Sequence, residues 1–121
     1  MSHTKEIKTL DELKAVLAAD ANPALIDFWA SWCGPCRAMA PHYEAAAQEL
    51  DQEPVDFYKI NTEEHPELAA AFNIRGLPTV LMIKDGKVAD AIVGARDKDT
   101  YKKKAEWLLG KNTGLWDRLF G

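Results

Sequence analysis

Apolar and polar positions along the chain follow periods that predict a series of strands and helices. Residues 24–30 are almost continuously apolar, which is typical of a strand buried on both faces of a sheet. Residues 55–60 alternate between apolar and polar side chains, as strands do, and residues 79–83 form a second apolar run. The dipeptide Asp85-Gly86 is a strong hairpin signal and predicts a return strand over residues 88–93.

The segments between these strands have the periodicity of helices. Thr9 and Glu12 have capping-box spacing, and Pro66 suits the first turn of a short helix. Helices are predicted at 10–19, from within 33–36 to about 51 with an interruption at Pro41, at 66–72 and at 98–109. The order predicts an α/β fold, in which a β-α-β half and a β-β-α half build a central mixed sheet with helices on both faces.

Length and charge narrow the classes of protein that fit. The chain has 121 residues, enough for one domain with its own core, and its net charge of −4 argues against non-specific nucleic-acid binding. The first residues are polar and lack the apolar segment of a signal peptide. No apolar run reaches the roughly 20 residues that cross a bilayer. We therefore expect a cytoplasmic protein that does not associate with a membrane.

Both cysteines of the chain lie in the segment Trp32-Cys33-Gly34-Pro35-Cys36. Thiols at this spacing can close and reopen a small disulfide ring with little backbone movement, and so small a ring adds little to stability. The alternative is half of a zinc site, which would need two further ligands. The three histidines are scattered and there is no third cysteine, so we interpret the pair as a dithiol/disulfide couple.

The two cysteines are predicted to differ in role because of their place on the long helix. Cys33 would lie where the buried strand ends and the helix begins, where free N–H groups and the helix dipole stabilise a thiolate. We expect Cys33 to be the attacking nucleophile, and Cys36, less exposed and one turn further in, to be the resolving thiol. Pro35 offers no N–H that would over-stabilise the thiolate, which favours a reductase over an oxidant.

Several separated signals occur together along most of the chain, from about residue 7 to 108. They are Asp27-Phe28-Trp29-Ala30, Trp32-Cys33-Gly34-Pro35-Cys36, Pro41, Lys59, Gly76-Leu77-Pro78-Thr79, Asp85-Gly86 and Gly94. This combination resembles the thioredoxin family. The resemblance implies the thioredoxin fold and a general protein-disulfide reductase that maintains cell redox homeostasis. It implies no bound cofactor and electrons from a thioredoxin reductase that uses FAD and NADPH, in keeping with the lack of a GxGxxG motif.

The same resemblance implies roles for residues outside the cysteine pair. Asp27 would lie beneath Cys36 and handle its proton, and Lys59 would tune Asp27. A buried carboxylate without partners is costly, so Asp27 either faces outward or is buried with a raised pKa. For Lys59 the alternative is an ordinary solvated lysine. A cis Leu77–Pro78 bond would lie against the disulfide, with the Leu77 backbone pairing with substrate. The substrate surface would comprise Trp32, Gly34, Pro35, Gly76, Leu77, Pro78, Gly94 and Ala95.

Two other classes of function stay open. One is an oxidase or isomerase of secreted proteins, against which the polar N-terminus and the Gly34-Pro35 dipeptide argue. The other is a thioredoxin-fold subunit that serves as a binding module, although the intact cysteine pair argues against that as the sole role. The partners we expect are thioredoxin reductase and disulfide-containing protein substrates. We expect a monomer.

The thioredoxin domain is predicted to span residues 1–109, and residues 110–121 form a C-terminal extension. Leu115, Trp116, Leu119 and Phe120 have the spacing of one apolar helical face. So short a segment cannot hold a helix alone in water. It would pack on its own domain, contact a partner chain or second copy, or associate with a membrane.

Overall fold

The computed structural model describes residues 2–111, which form a five-stranded mixed sheet covered by helices on both faces. The strands are β1 (Lys5–Glu6), β2 (Ala24–Trp29), β3 (Asp56–Asn61), β4 (Thr79–Lys84) and β5 (Lys87–Val93). The helices are α1 (Leu10–Val16), α2 (Gly34–Glu49), α3 (Pro66–Ala71) and α4 (Lys98–Leu108). The predicted fold is confirmed, together with the four longer strands. The two-residue strand β1 was not predicted because it is too short to show a period.

Strand β2 occupies the centre of the sheet, whose order is β1-β3-β2-β4-β5. Strands β1, β3 and β2 are parallel, and β4 runs antiparallel to both β2 and β5. Helices therefore cover both faces of β2, which explains its nearly continuous apolar run. Within that run Asp27 is in register with Lys59 on β3 and Val80 on β4.

Two hydrophobic cores lie on opposite faces of the sheet. On one face, α2 and α4 pack over β2, and Tyr43 contacts Tyr101 edge to face with ring centroids 5.5 Å apart. On the other face, α1 and α3 contribute Leu13 and Leu68 to a core around Phe28. The carboxyl end of β2 thus lies between two packed layers.

The hairpin between β4 and β5 turns at Asp85 and Gly86, as predicted. Both residues have positive φ, 54° and 75°, which a two-residue type I′ turn requires. A Cβ atom on Gly86 would lie 2.6 Å from the carbonyl oxygen of Leu17, so the close approach also demands glycine.

Two helix predictions need correction. Helix α2 continues through Pro41, so the predicted interruption there is wrong. Proline removes a single N–H donor, and the buried residues Met39 and Tyr43 on either side keep the helix packed on the sheet. Helix α1 ends at Val16 and not near residue 19, because the Leu17 backbone (ψ 3°) already leaves the helical region.

The predicted extension lies outside the described residues, from 112 onward. Helix α4 ends at Leu108, and Gly110 follows with φ 76°, a conformation that favours glycine after a helix. Of the helices within residues 2–111, none has the length and apolar character of a membrane span.

Candidate active site

The cysteine pair forms a disulfide at the N-terminus of α2. Cys33 and Cys36 are bonded, with their Cα atoms 5.3 Å apart. Cys33 is the N-cap residue, and its Sγ accepts a hydrogen bond from the backbone N–H of Cys36 at 3.2 Å. The first turn of α2 contains no acidic residue. The positive end of the helix dipole therefore acts on the Cys33 sulfur unopposed, which favours its thiolate in the reduced protein.

The two cysteines differ less in solvent exposure than we expected. The exposed fraction is 4% for Cys33 and 3% for Cys36 in the disulfide form. Both pack against Ala30, Trp29 and Leu77. The two cysteines therefore differ in their position on the helix, cap against first turn, and hardly in their exposure.

Asp27 lies in the core, on the central strand β2. Its exposed fraction is 1%, and its Oδ1 atom accepts no hydrogen bond from the described residues. Burial raises the pKa of Asp27 from 3.8 to about 7, against the opposing effect of the Lys59 ammonium. The outward-facing alternative for Asp27 is thereby excluded.

Lys59 is not an ordinary solvated lysine. It is half-buried on β3 in register with Asp27, and its Nζ lies 4.8 Å from the centre of the Trp29 ring. Trp29 follows Asp27 by two residues on β2, so the aspartate, lysine and tryptophan share one face of the sheet. Trp29 also packs against Cys33 and Cys36, so it connects this face of the sheet with the disulfide.

The loop before β4 lies against the disulfide. Its Leu77–Pro78 bond is cis, and the Leu77 side chain packs on the cysteine pair. Thr79 Oγ1 donates to the Gly76 carbonyl at 2.6 Å, and the Gly94 N–H donates to the Pro78 carbonyl at 2.9 Å. These bonds tie the loop to the end of β5, so two of the predicted surface segments form one unit.

The residues predicted for substrate binding differ in exposure. Trp32 is 69% exposed, the largest value among the exposed large hydrophobic side chains of residues 2–111. Gly34, Pro35 and Ala95 are also exposed, whereas Gly76, Leu77 and Gly94 are half-buried and Pro78 is buried. Pro78 is therefore covered, and among the predicted residues only its neighbours are accessible to a partner.

Sequence reasoning missed a contact that holds the active-site loop. The backbone N–H and hydroxyl of Ser31 both donate to Glu63 Oε1, at 2.5 and 2.6 Å. These bonds, led by the Ser31 hydroxyl, hold the pKa of Glu63 below its usual value. Thr62 Oγ1 also donates to the Trp29 carbonyl at 3.1 Å. The partners lie about thirty residues apart in the chain, and no local pattern announces their pairing.

Within residues 2–111, no three or more histidine, cysteine or acidic side chains come together as metal ligands. Cys33 and Cys36 are instead bonded to each other.

A disulfide at a helix N-terminus, directly after a buried central strand and beside a cis-proline loop, defines a thiol-disulfide oxidoreductase. The thioredoxin family profile matches residues 4–106 of the chain. The chain therefore belongs to the thioredoxin family.

Curated relatives agree with this assignment. Thioredoxin 1 of Nostoc sp. is 38% identical over 106 residues, which cover 88% of this chain and 97% of the relative. The chloroplastic M-type thioredoxin of Pisum sativum is 45% identical over 84 residues, 69% of this chain but only 48% of the pea protein. The thioredoxin of Chlorobaculum thiosulfatiphilum is 40% identical over 105 residues, covering 87% of this chain and 89% of the relative.

Solved structures show the same fold. The thioredoxin of Malassezia sympodialis superposes with a TM-score of 0.74 at 34% identity, covering 83% of this chain and 85% of that one. Oxidised mitochondrial thioredoxin 3 of Saccharomyces cerevisiae gives a TM-score of 0.76 at 30% identity, covering 87% and 95%. The chain is a protein-disulfide reductase with a redox-active Cys33/Cys36 dithiol, and it acts in redox homeostasis.

Proposed function

We propose that Cys33 is the attacking nucleophile and Cys36 the resolving thiol of this reductase. The observation that carries the assignment is the N-cap geometry, in which Cys33 Sγ accepts the Cys36 N–H at 3.2 Å. A sulfur that holds this position in the reduced protein has a lowered pKa, because the N–H and the dipole stabilise the anion. The thiolate is the attacking species in disulfide exchange.

The reaction proceeds in two exchanges. In the first, the Cys33 thiolate attacks one sulfur of a substrate disulfide, which forms a mixed disulfide and releases one substrate thiolate. In the second, Cys36 loses its proton and attacks Cys33 Sγ, which forms the Cys33–Cys36 disulfide and releases the second substrate thiolate. The substrate gains two electrons and, after protonation of both thiolates, two protons. The protein dithiol is oxidised by the same two electrons.

Asp27 acts as the proton acceptor for Cys36 in the second exchange. A pKa raised to about 7 lets the carboxyl take up and return a proton near neutral pH. Its Oδ1 accepts no hydrogen bond from the described residues and is free to take that proton. Lys59 tunes this acid, because its ammonium opposes the effect of burial on the pKa of Asp27.

Substrate proteins bind on the surface around the cysteine pair. An extended substrate segment pairs with the Leu77 backbone, while exposed Trp32 and the small residues Gly34, Gly76, Gly94 and Ala95 give a low-relief contact area. A shallow surface of this kind accepts many partners because it makes few shape demands on any one of them.

The proposed electron donor is a flavoprotein thioredoxin reductase that draws on NADPH, and the proposed location is the cytoplasm. The support for the donor is family membership, since thioredoxins in general work with a reductase and with substrate proteins. The binding-module alternative would leave the cysteine pair without a task.

A reduction assay tests the function. The wild-type protein, supplied with NADPH and a thioredoxin reductase, is expected to precipitate insulin chains as their disulfides are reduced. The double variant Cys33→Ser/Cys36→Ser is the control. Equal turbidity in both would point to a binder. A redox titration then tests direction, since a potential as oxidising as that of a disulfide oxidase would reject the reductase assignment.

A further inference from the structure

Three charged side chains form a row across the parallel part of the sheet. Glu6 on β1 is in register with Lys59 on β3, and Lys59 is in register with Asp27 on β2. Partners in register on parallel strands project to the same face. The lysine therefore stands between two carboxylates, one at the edge of the sheet and one in its centre.

Burial increases along this row from Glu6 to Asp27. Glu6 is exposed at the edge, Lys59 is half-buried and Asp27 is buried. Glu6 also lines an open cleft of about 220 Å³ with Lys8, Trp29, Asn61 and Glu64. The indole N–H of Trp29 has no hydrogen-bond partner among the described residues, and Asp27 Oδ1 has none either. Solvent thus reaches one end of a row whose other end is the unsatisfied carboxyl.

We propose that Glu6 is a positioning residue of the disulfide-exchange reaction, which shares the Lys59 ammonium with Asp27 and so keeps the buried carboxyl available for the Cys36 proton. This inference rests on the proposed role of Asp27. Without Glu6, the ammonium would neutralise Asp27 alone and hold it as a carboxylate. With Glu6 in place, the lysine charge is divided between a solvated partner and a buried one.

The charges around both acids support this division. The titratable groups that face Asp27 from the packed elements are Glu6 on β1, Lys59 on β3, Tyr43 on α2 and Tyr101 on α4. Burial raises the pKa of both tyrosines, so they stay neutral. The groups that act on Glu6 are Lys59, Lys8, Glu64 and His65.

The two acids respond to Lys59 in the same sense. Neighbouring groups partly desolvate the Glu6 carboxyl and raise its pKa although the residue as a whole is exposed, and Lys59 is the largest opposing influence. Burial likewise raises the pKa of Asp27, Lys59 lowers it, and the negative charge of Glu6 raises it. Removal of the Glu6 charge therefore lowers the pKa of Asp27. The carboxyl becomes a weaker base toward Cys36, and the pH range in which it holds a proton moves down.

The test compares Glu6→Gln with Glu64→Gln. Both variants replace a carboxylate that lines the same cleft, but only Glu6 is in register with Lys59. The pKa of the Asp27 carboxyl is measured by carbon NMR, and the signal is assigned with the variant Asp27→Asn. In parallel, kcat/KM for a protein disulfide is measured as a function of pH. Glu6→Gln should lower the Asp27 midpoint by roughly half a pH unit, as for one charge two strand spacings away. The acid limb of the pH profile should shift with it.

Glu64→Gln should leave both the titration and the profile at their wild-type positions, and Glu6→Asp should restore them. An unmoved Asp27 midpoint in Glu6→Gln overturns the inference, and so does a uniform loss of activity at every pH, which marks a merely structural role. If Asp27→Asn keeps the wild-type profile, the role of Asp27 fails and this inference fails with it. If Asp27→Asn alters the profile while Glu6→Gln does not, Glu6 alone is rejected.

Discussion

The N-termini of α2 and α4 are capped in the same way, but the two caps serve different purposes. Each helix is capped by a residue with extended backbone whose side chain accepts an N–H from three residues ahead. In α4 the acceptor is the Asp97 carboxylate, 3.1 Å from the Thr100 nitrogen. In α2 the acceptor is the sulfur of Cys33, 3.2 Å from the Cys36 nitrogen. The first turn of α4 holds the acidic Asp99, and that of α2 holds no acid.

The difference shows how a stabilising feature becomes a reactive one. An aspartate cap is ionised throughout the neutral range, and its hydrogen bonds, that to the Thr100 N–H first, lower the pKa of Asp97 further. At a cysteine cap, the same N–H lowers the pKa of the thiol and favours its nucleophilic thiolate. Because the first turn of α2 has no acid, the helix dipole acts on the cysteine thiolate without opposition. In α4, Asp99 interacts favourably with the dipole and stabilises the helix.

The largest effect on activity is expected when either cysteine sulfur is removed. We expect Cys33→Ser to lower reductase activity to the level of a sample without the protein, because no nucleophile caps α2. Cys36→Ser should retain the attack and accumulate a mixed disulfide with substrate, detectable by mass spectrometry. Asp97→Ser, which leaves an ordinary cap on α4, is the control and should reduce substrate at the wild-type rate. A mixed disulfide trapped by Cys33→Ser would contradict the assigned order.

Two aspartates extend the contrast: Asp97 at the cap of α4 is exposed, whereas Asp27 on β2 is buried and has a pKa of about 7. Below pH 3.8 the Asp27 carboxyl is protonated in both states and contributes nothing. As pH rises from 3.8 to about 7, only the unfolded chain releases the proton, so the folded state loses stability. Above about 7 this loss is constant, at most about 4 kcal/mol.

Asp27→Asn should therefore stabilise the protein above pH 7 while it slows disulfide reduction. The gain will be smaller than the upper limit, because the amide is also left without hydrogen bonds. Denaturant unfolding at pH 8 and at pH 4 measures the change, and the difference between variant and wild type should shrink at the lower pH. A variant no more stable than wild type at pH 8 would count against the burial of a charged Asp27.

An acid placed in the first turn of α2 would make this turn resemble that of α4, and so tests whether the missing acid matters for Cys33. Pro35→Glu and Pro35→Gln both restore an N–H, and only the first adds a charge. We expect the glutamate variant to react with iodoacetamide about 2- to 5-fold more slowly at neutral pH than the glutamine variant, as 0.3–1 kcal/mol of dipole and charge interaction implies. The difference should shrink in high salt. Equal rates at low salt would show that the field at the cap does not control Cys33.

The smallest effect is expected at the cap of α4. Asp97→Ala removes the acceptor for the Thr100 N–H and should cost about 1 kcal/mol of stability, measured by denaturant unfolding. Its kcat/KM for a protein disulfide should stay at the wild-type value, because this cap lies outside the reaction. A loss of activity larger than the loss of folded protein would mean that the two helix ends are coupled.

The sequence predicted the fold well because its strongest signals are local. The apolar run of β2 and the Asp85-Gly86 turn specify their elements without help from distant residues. The junction between the apolar strand and the helical pattern likewise placed Cys33 at the start of α2. The burial of Asp27 was implied by the family resemblance, since the residues alone left an outward-facing side chain open.

Contacts between distant segments could not be predicted in this way. The two hydrogen bonds from Ser31 to Glu63 join residues that no short-range pattern relates. The strand β1, which brings Glu6 beside Lys59, is fixed by its pairing with β3 and not by its own two residues. The domain boundary at residue 109 and the packing of the apolar face from 115 to 120 stay predictions, since residues 112–121 lie outside the described part.

If the N-terminus of α2 makes Cys33 the reactive thiolate, the two thiols of the reduced protein must differ in reactivity. The most direct measurement is the rate of iodoacetamide labelling of each cysteine in the reduced protein as a function of pH, read by mass spectrometry of the separated peptides. We predict that Cys33 is labelled first and that its labelling rate titrates below the range of an ordinary thiol. Labelling of Cys36 at an equal or higher rate at neutral pH would contradict this prediction.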